Sequence, residues 1–288
     1  MNSGVPSNPI AYLILAHKSP KQLHRLMRAI FDPANYYAIH IDRTAALEVH
    51  KAAAEIAASS DRVQVLPSIN CRHAGFSLVK AQQRGIRALI RAGADWSHFI
   101  NLSGEDFPLH AQATIMNRLA SAEGINFVNV FDPWASGRWP DPDERYDGVY
   151  WEPPGSKRAR RVAKLTVRRR WILGGAKLYG ASQWMILSRD FCEFVSRRTN
   201  VWRYIGFFRN TYVPDESFYP TVLMNSKWRH RLTPENLRFV DWTSGPERPR
   251  ILRLEDLDRL LSSGALFARK LNADVDESLL DSLERRVQ

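Results

Sequence analysis

Six consecutive apolar positions, Ala11-Tyr-Leu-Ile-Leu-Ala16, open the patterned part of the chain. No polar residue interrupts them, as in a strand buried on both faces. The run stops at His17-Lys-Ser-Pro20. Ser19 before Pro20 is a helix start, and Leu23, Leu26, Met27 and Ile30 follow at helical spacing. The alternation continues. Strands are predicted over Tyr36–Ile41 (ending at Asp42), Val63–Leu66 and Trp96–Leu102, and helices over Leu47–Ala58 and Ser77–Ala92. Asp132 to Gly175 is rich in Pro, Gly, Asp and Arg with weak periodicity, which predicts a long irregular excursion, a flap or an acceptor-binding insert. Beyond it a strand is predicted through Trp184–Leu187 with a helix from Arg189, helix over Asp215–Asn225, a late strand over Leu237–Trp242, and short helices over Glu255–Leu261 and Asp276–Arg285.

Strands alternating with helices predict an α/β fold: a mostly parallel sheet with helices on both faces. Such sheets bind ligands beyond the carboxyl ends of their strands. His17, Asp42, Asn70 to Gly75 and Ser103 to Asp106 fall there, which points to a nucleotide-type ligand. Neither a G-x-G-x-x-G fingerprint nor a Walker phosphate loop occurs, so NAD and ATP are poor candidates.

At 288 residues the chain is long enough for a large buried core. Its two cysteines, Cys71 and Cys192, make neither a disulfide framework nor a zinc pattern, and both read as small buried hydrophobes in a reducing compartment. The formal charge is +11, and Lys157 to Arg170 holds eight basic residues in fourteen with no acid. That segment reads as a solvated face, as a patch for an anionic membrane surface or polyanion, or as a nucleic-acid patch. Nucleic acid ranks last because no nucleic-acid-binding signature accompanies it.

One acidic stretch carries candidate chemistry. Val213-Pro-Asp-Glu-Ser-Phe-Tyr-Pro-Thr-Val-Leu-Met-Asn-Ser226 puts Asp215 and Glu216 directly after a proline, at a predicted helix start. A carboxylate held there suits proton abstraction from a bound hydroxyl, or only complements the helix dipole. With Asp95-Trp-Ser-His-Phe-Ile-Asn-Leu-Ser-Gly-Glu-Asp-Phe-Pro-Leu109 and Leu266-Phe-Ala-Arg-Lys-Leu271, in this order, it resembles the family of core-2/I-branching N-acetylglucosaminyltransferases and peptide O-xylosyltransferases. Ala38-Ile-His-Ile-Asp-Arg43, Ala74-Gly-Phe-Ser-Leu-Val-Lys-Ala81 and Gly180-Ala-Ser-Gln-Trp-Met-Ile-Leu-Ser-Arg189 agree. The resemblance runs from about Ala11 to about Asp276, with Glu-Ser-Phe-Tyr and Phe-Ile-Asn-Leu-Ser closer to the xylosyltransferase branch.

The resemblance implies a single GT-A-like domain, with a nucleotide-binding half over about 11–130 and an acceptor-binding, catalytic half over about 131–276. It implies inverting transfer of xylose or N-acetylglucosamine from a UDP-sugar to a glycan, protein or lipid-linked hydroxyl, with no metal and no other cofactor. Glu216 matches the catalytic base, and Asp215 beside it is expected on the acceptor side, helping through its charge. Asp42 and Arg43 match positions near the uracil and ribose. Arg72 and Gly75 match the loop after the third strand, where His73 stands in place of the family's tryptophan. Arg250 and Lys270 match the cations on the diphosphate; without the family they read as surface charge. Trp184 matches an acceptor-side tryptophan and reads equally as a core tryptophan. His17, Ser103 and Asp106 complete the expected nucleotide site. Asp141-Pro-Asp143 and Asp274-Val-Asp276 match the metal-binding Asp-x-Asp only formally, since neither follows a strand of the first half. Animal members are membrane-anchored Golgi proteins; this chain shows no anchor, which suggests a bacterial cytoplasmic protein, peripheral at the membrane, or a trimmed catalytic domain. Two rivals stand: a non-catalytic sugar-nucleotide or polyanion-binding protein that kept the fold, and a basic membrane-surface adaptor built on Lys157 to Arg170.

Overall fold

The computed structural model describes residues 8–164, 172–245 and 248–287. The first half runs β1 (Ile10–Ala16), α1 (Pro20–Ile30), β2 (Tyr36–Ile41), α2 (Leu47–Ala58), β3 (Val63–Val65), α3 (Phe76–Ala92), β4 (His98–Ser103), β5 (Asp106–Pro108), α4 (Gln112–Ala120) and β6 (Asn126–Phe127). The second runs α5 (Pro142–Asp147), β7 (Gly148–Trp151), β8 (Arg160–Lys164), β9 (Ile186–Ser188), α6 (Arg189–Ser196), α7 (Arg198–Phe208), α8 (Phe218–Met224), β10 (Leu232–Thr233), β11 (Arg238–Val240), α9 (Leu257–Ser262), β12 (Phe267–Arg269) and α10 (Glu277–Val287).

A seven-stranded sheet in the order β10-β6-β9-β4-β1-β2-β3 forms the middle layer. Its pairs are parallel except at β9, which runs antiparallel to β4 and β6. The strand alternation explains the continuous apolar run of β1. Ile10, Tyr12 and Ile14 face one core with Leu23 and Leu26 of α1 and Ile56 of α2; Ala11 and Leu13 face another with Val79 and Ile86 of α3. Helices therefore cover both faces. α3 sits close on the sheet because Gly85 has no side chain: a Cβ there would lie 2.6 Å from Leu13 Cδ1.

A smaller sheet, β11-β12-β5, lies beside the main one, and β7 and β8 form a separate antiparallel pair. These elements correct the sequence reading in three places. The excursion over 132–175 contains α5 and the β7–β8 hairpin; residues 165–171, including the end of the basic segment, lie outside the described residues. The helix predicted over 215–225 is broken: Pro214–Glu216 is a single 3-10 turn, Ser217 is non-helical at φ −126°, and α8 begins at Phe218. Cys192 is buried as expected, whereas Cys71 is only half-buried in the loop before α3. Among the described residues no helix is long and apolar enough to cross a membrane.

Candidate active site

The carboxyl ends of β1, β4 and β12 bring charge together. Lys18 Nζ lies 2.7 Å from one oxygen of Glu105 and Lys270 Nζ 3.0 Å from the other. Two cations on one carboxylate leave a net positive charge at this edge of the sheet. Burial alone would raise the Glu105 pKa, but the bonds from Lys18 and Lys270 hold it below the usual value. Burial and the Lys18 charge push the His17 pKa down, so its ring is neutral at pH 7 and offers one donor and one acceptor.

Asp42 closes β2. It accepts from the Thr44 and Cys71 N–H groups at 2.8 and 2.7 Å and from the Thr44 hydroxyl at 2.7 Å. Burial opposes its charge, and these bonds still hold its pKa below normal. It thereby ties the loop after β3 to the end of β2. Arg43 donates to the Ser68 carbonyl at 3.1 Å.

Asp106 does not reach the cleft. It has no exposed surface and pairs with Arg238, itself buried. It also accepts from the N–H and hydroxyl of Ser103. The nucleotide contact expected at Asp106 gives way to a positioning role: it fixes the β4–β5 turn that presents Glu105. Arg250 is likewise engaged, with Asp241 at 3.0 Å and with Asp256, both shared by Arg259. It keeps 26% of its side chain accessible, and the bond from the Leu252 N–H to the Lys270 carbonyl sets its segment beside Lys270.

The loop expected to touch the donor is covered by the hairpin. Glu152, just after β7, accepts from the Ser77 N–H at 2.9 Å, at the N-terminus of α3, and lies 3.7 Å from Arg72. A Cβ on Gly75 would fall 2.6 Å from the Glu152 Cδ, so the Glu152 carboxylate packs directly on the backbone there and any side chain would have to displace it. Arg72 donates to the Ser156 carbonyl, and the His73 backbone bonds to Lys157 and Ala159. Trp184 is half-buried under the Arg269 guanidinium, 4.1 Å from its ring centroid, with Arg238 at 5.6 Å.

Glu216 and Asp215 share the 3-10 turn but not an environment. The turn is held between the loop before α3 and residue 181, through bonds from the Val213 N–H to the Ala74 carbonyl and from the Ala181 N–H to the Glu216 carbonyl. Glu216 keeps 30% of its side chain accessible and receives Arg145 Nη1 at 2.9 Å. Its recess desolvates the carboxyl and raises its pKa, against the opposing pull of Arg145. Asp215 points inward. It is 4% exposed, and its Oδ1 has no hydrogen-bond partner among the described residues. Burial first, then the Glu216 charge, push its pKa up to about 7. Adjacent carboxylates with such different exposure are suited to different work: Glu216 can meet a substrate and Asp215 cannot.

Residues 10–261 match the family described as Core-2/I-Branching enzyme. The chain belongs to that family. Its mixed α/β architecture is the family's GT-A-like fold. It is 27% identical to a beta-glucuronosyltransferase, GlcAT14A, of Arabidopsis thaliana over 98% of this chain and 65% of the relative. It is 27% identical to xylosyltransferase 2 of Homo sapiens over 97% of this chain and 34% of the relative. It is 25% identical to a beta-1,3-galactosyl-O-glycosyl-glycoprotein beta-1,6-N-acetylglucosaminyltransferase of Bos taurus over 97% of this chain and 70% of the relative. Equal identity to the glucuronosyl and xylosyl relatives means the leaning toward xylose has no support in overall similarity.

In this family member the sequence reading missed Lys18, Arg145 and Glu152, and it placed Glu105 at the sheet edge without giving it a role. Lys18 adjoins a strand end and was findable from that alone. Arg145 and Glu152 lie in the aperiodic excursion, where nothing local marks them. The formal Asp-x-Asp pairs have local roles: Asp141 caps α5 through the Glu144 N–H, and Asp276 accepts from the N–H groups of Leu254 and Leu279. Among the described residues no three His, Cys, Asp or Glu side chains converge to hold a metal ion.

Proposed function

We propose that this protein is an inverting glycosyltransferase that uses a uridine diphosphate sugar, with Glu216 as general base. The observation that carries the reading is the Glu216 carboxylate: accessible, on a braced turn, and raised in pKa by its recess. The acceptor oxygen attacks the anomeric carbon from the face opposite the diphosphate. The acceptor proton passes to Glu216 while the bond from the anomeric carbon to the diphosphate oxygen breaks and its electron pair leaves with UDP. Lys270, with Lys18 beside it and Arg250 close by, supplies positive charge for that leaving group, the work a divalent metal does elsewhere. Arg145 pulls the Glu216 pKa down against its burial and orients the carboxylate.

Xylose, N-acetylglucosamine and glucuronic acid are the donor sugars to test, and the acceptor is a glycan, protein or lipid-linked hydroxyl. A screen of the three UDP-sugars for slow donor hydrolysis tests the reading. One of them should be turned over, with release of UDP. Hydrolysis of none, together with absence of UDP binding, would favour a non-catalytic protein that kept the fold.

A further inference from the structure

We infer that the groove between α3 and α7 is a binding surface for an acidic saccharide chain, on which the trailing part of the acceptor rests. The sugar assignment rests on the transfer activity proposed above; the groove itself does not. Two adjoining concavities of about 430 and 360 Å³ share Phe76, Lys80, Arg84 and Arg209 in their walls. On α3, Lys80, Arg84 and Arg87 fall at spacings of four and three, so they line one face of the helix. On α7, Arg198, Trp202 and Ile205 recur at spacings of four and three and Arg209 follows four residues on, one face of the helix, from which Arg198, Ile205 and Arg209 form the facing wall. By helical rise the α3 stripe is roughly 10 Å long and the α7 stripe roughly 16 Å.

Charge in this groove is unbalanced. Lys80, Arg84, Arg198 and Arg209 make no ion pair among the described residues, while Arg87 is spent on the Ser196 carbonyl and Gln83. Among the described residues the single carboxylate in the walls, Glu152, lies at one end against Arg72. Free cations crowded in a concavity repel one another, and an anion entering it relieves that cost. Trp202 adds the second requirement. It is 57% exposed, lies in the cationic stripe, and has Arg203 5.2 Å from its ring centroid. An exposed indole among guanidinium groups offers a flat apolar face for a sugar ring and donors for its carboxylate or ester anion.

The shape separates this ligand from others. A bilayer is flat and meets convex or flat basic surfaces, whereas these cations stand on facing walls. An acidic peptide would use the charges without needing Trp202. Single-stranded nucleic acid would use both, and only the sugar-transfer reading ranks a saccharide above it.

The test is calorimetric titration of the whole chain, without donor, with a galacturonic-acid oligosaccharide long enough to span the groove. Poly-glutamate, an oligothymidylate, phosphatidylglycerol vesicles and a neutral cello-oligosaccharide serve as comparisons. The acidic oligosaccharide should bind more tightly than all four, and its binding should weaken as salt rises. Arg84→Glu combined with Arg209→Glu should weaken it at least about tenfold, the low end for charge-assisted hydrogen bonds. Trp202→Ala should weaken the oligosaccharide but not poly-glutamate. Undiminished affinity in the charge-reversed variant overturns the proposal, and so does preference for peptide, oligothymidylate or vesicles. UDP titrated against the same proteins reads the donor site separately. If wild type takes the oligosaccharide but not UDP, the donor reading fails and the groove stands.

Discussion

Arg145 and Glu216, from elements 71 residues apart, meet at 2.9 Å, and the same guanidinium lies 3.7 Å from the ring centroid of Trp139. The excursion therefore does more than border the cleft. It delivers a fixed cation to the candidate base, stacked so that the guanidinium plane has one orientation. A base in a desolvating recess would sit protonated too often; the cation offsets part of that cost without removing the basic oxygen.

Glu216→Gln tests the base directly. The amide keeps size and hydrogen bonding and loses the proton-accepting oxygen. Transfer should fall at least about a hundredfold while UDP affinity stays near normal. Near-normal transfer, or a product that keeps the donor's anomeric configuration, sinks the assignment.

Arg145→Ala should shift the pH–rate profile. Arg145 lowers the Glu216 pKa, so its removal lets that pKa climb. Because the base works deprotonated, the acid limb of kcat/KM should move to higher pH. A limb that stays in place or moves down would show that Arg145 serves the acceptor rather than the base.

Asp215 predicts a slope in stability. Its folded pKa is about 7, above the ordinary carboxylate value. Between about pH 4 and pH 7 the unfolded chain releases this proton while the folded chain keeps it, so stability falls as pH rises. The loss is on the order of a few kcal/mol, less what the coupled Glu216 charge absorbs. Thermal melting from pH 4.5 to 8 should show the decline in the wild type and a clearly flatter profile in Asp215→Asn. Parallel profiles for the two proteins would mean that Asp215 is ionised when folded.

Lys270→Ala should weaken UDP binding by about 1.5–3 kcal/mol, the scale of a charge-assisted hydrogen bond. Turnover should also persist in excess chelator. Unchanged UDP affinity in the variant, or activity abolished by chelator and restored by manganese, would reassign the diphosphate to a metal.

Asp106→Ala should unfold the protein sooner rather than empty the donor site. Removing the carboxylate strands the buried Arg238 charge, which typically costs about 3–5 kcal/mol. Denaturant midpoints should drop, with UDP affinity of the folded fraction nearly intact. Normal stability with lost UDP affinity would return Asp106 to the nucleotide site.

Much of the layer architecture was legible because burial periodicity is local. A strand buried on both faces has no polar positions, as in β1, and α1 announces itself by Ser19, Pro20 and a clean apolar stripe. From these the parallel half of the sheet follows, and with it the edge where His17, Asp42 and Glu105 gather. The antiparallel β9 did not follow, because its direction is set by pairing with β4 and β6 far away in sequence.

Charge was the part that sequence could not resolve. The residue types at Glu216, Asp215, Arg250, Lys270 and Asp106 were readable, and their environments were not. Asp106 and Glu105 are neighbours, yet one is sealed against Arg238 and the other bridges Lys18 and Lys270 at the cleft. Asp215 and Glu216 are neighbours, yet one is buried and the other accessible. A carboxylate's chemistry depends on its desolvation and on which cations stand within a few ångströms. Partners such as Arg145 arrive from segments without periodic signal, so composition and pattern determined that a mostly parallel sheet covered by helices would form, and only long-range packing decided which of its charges remain free to act.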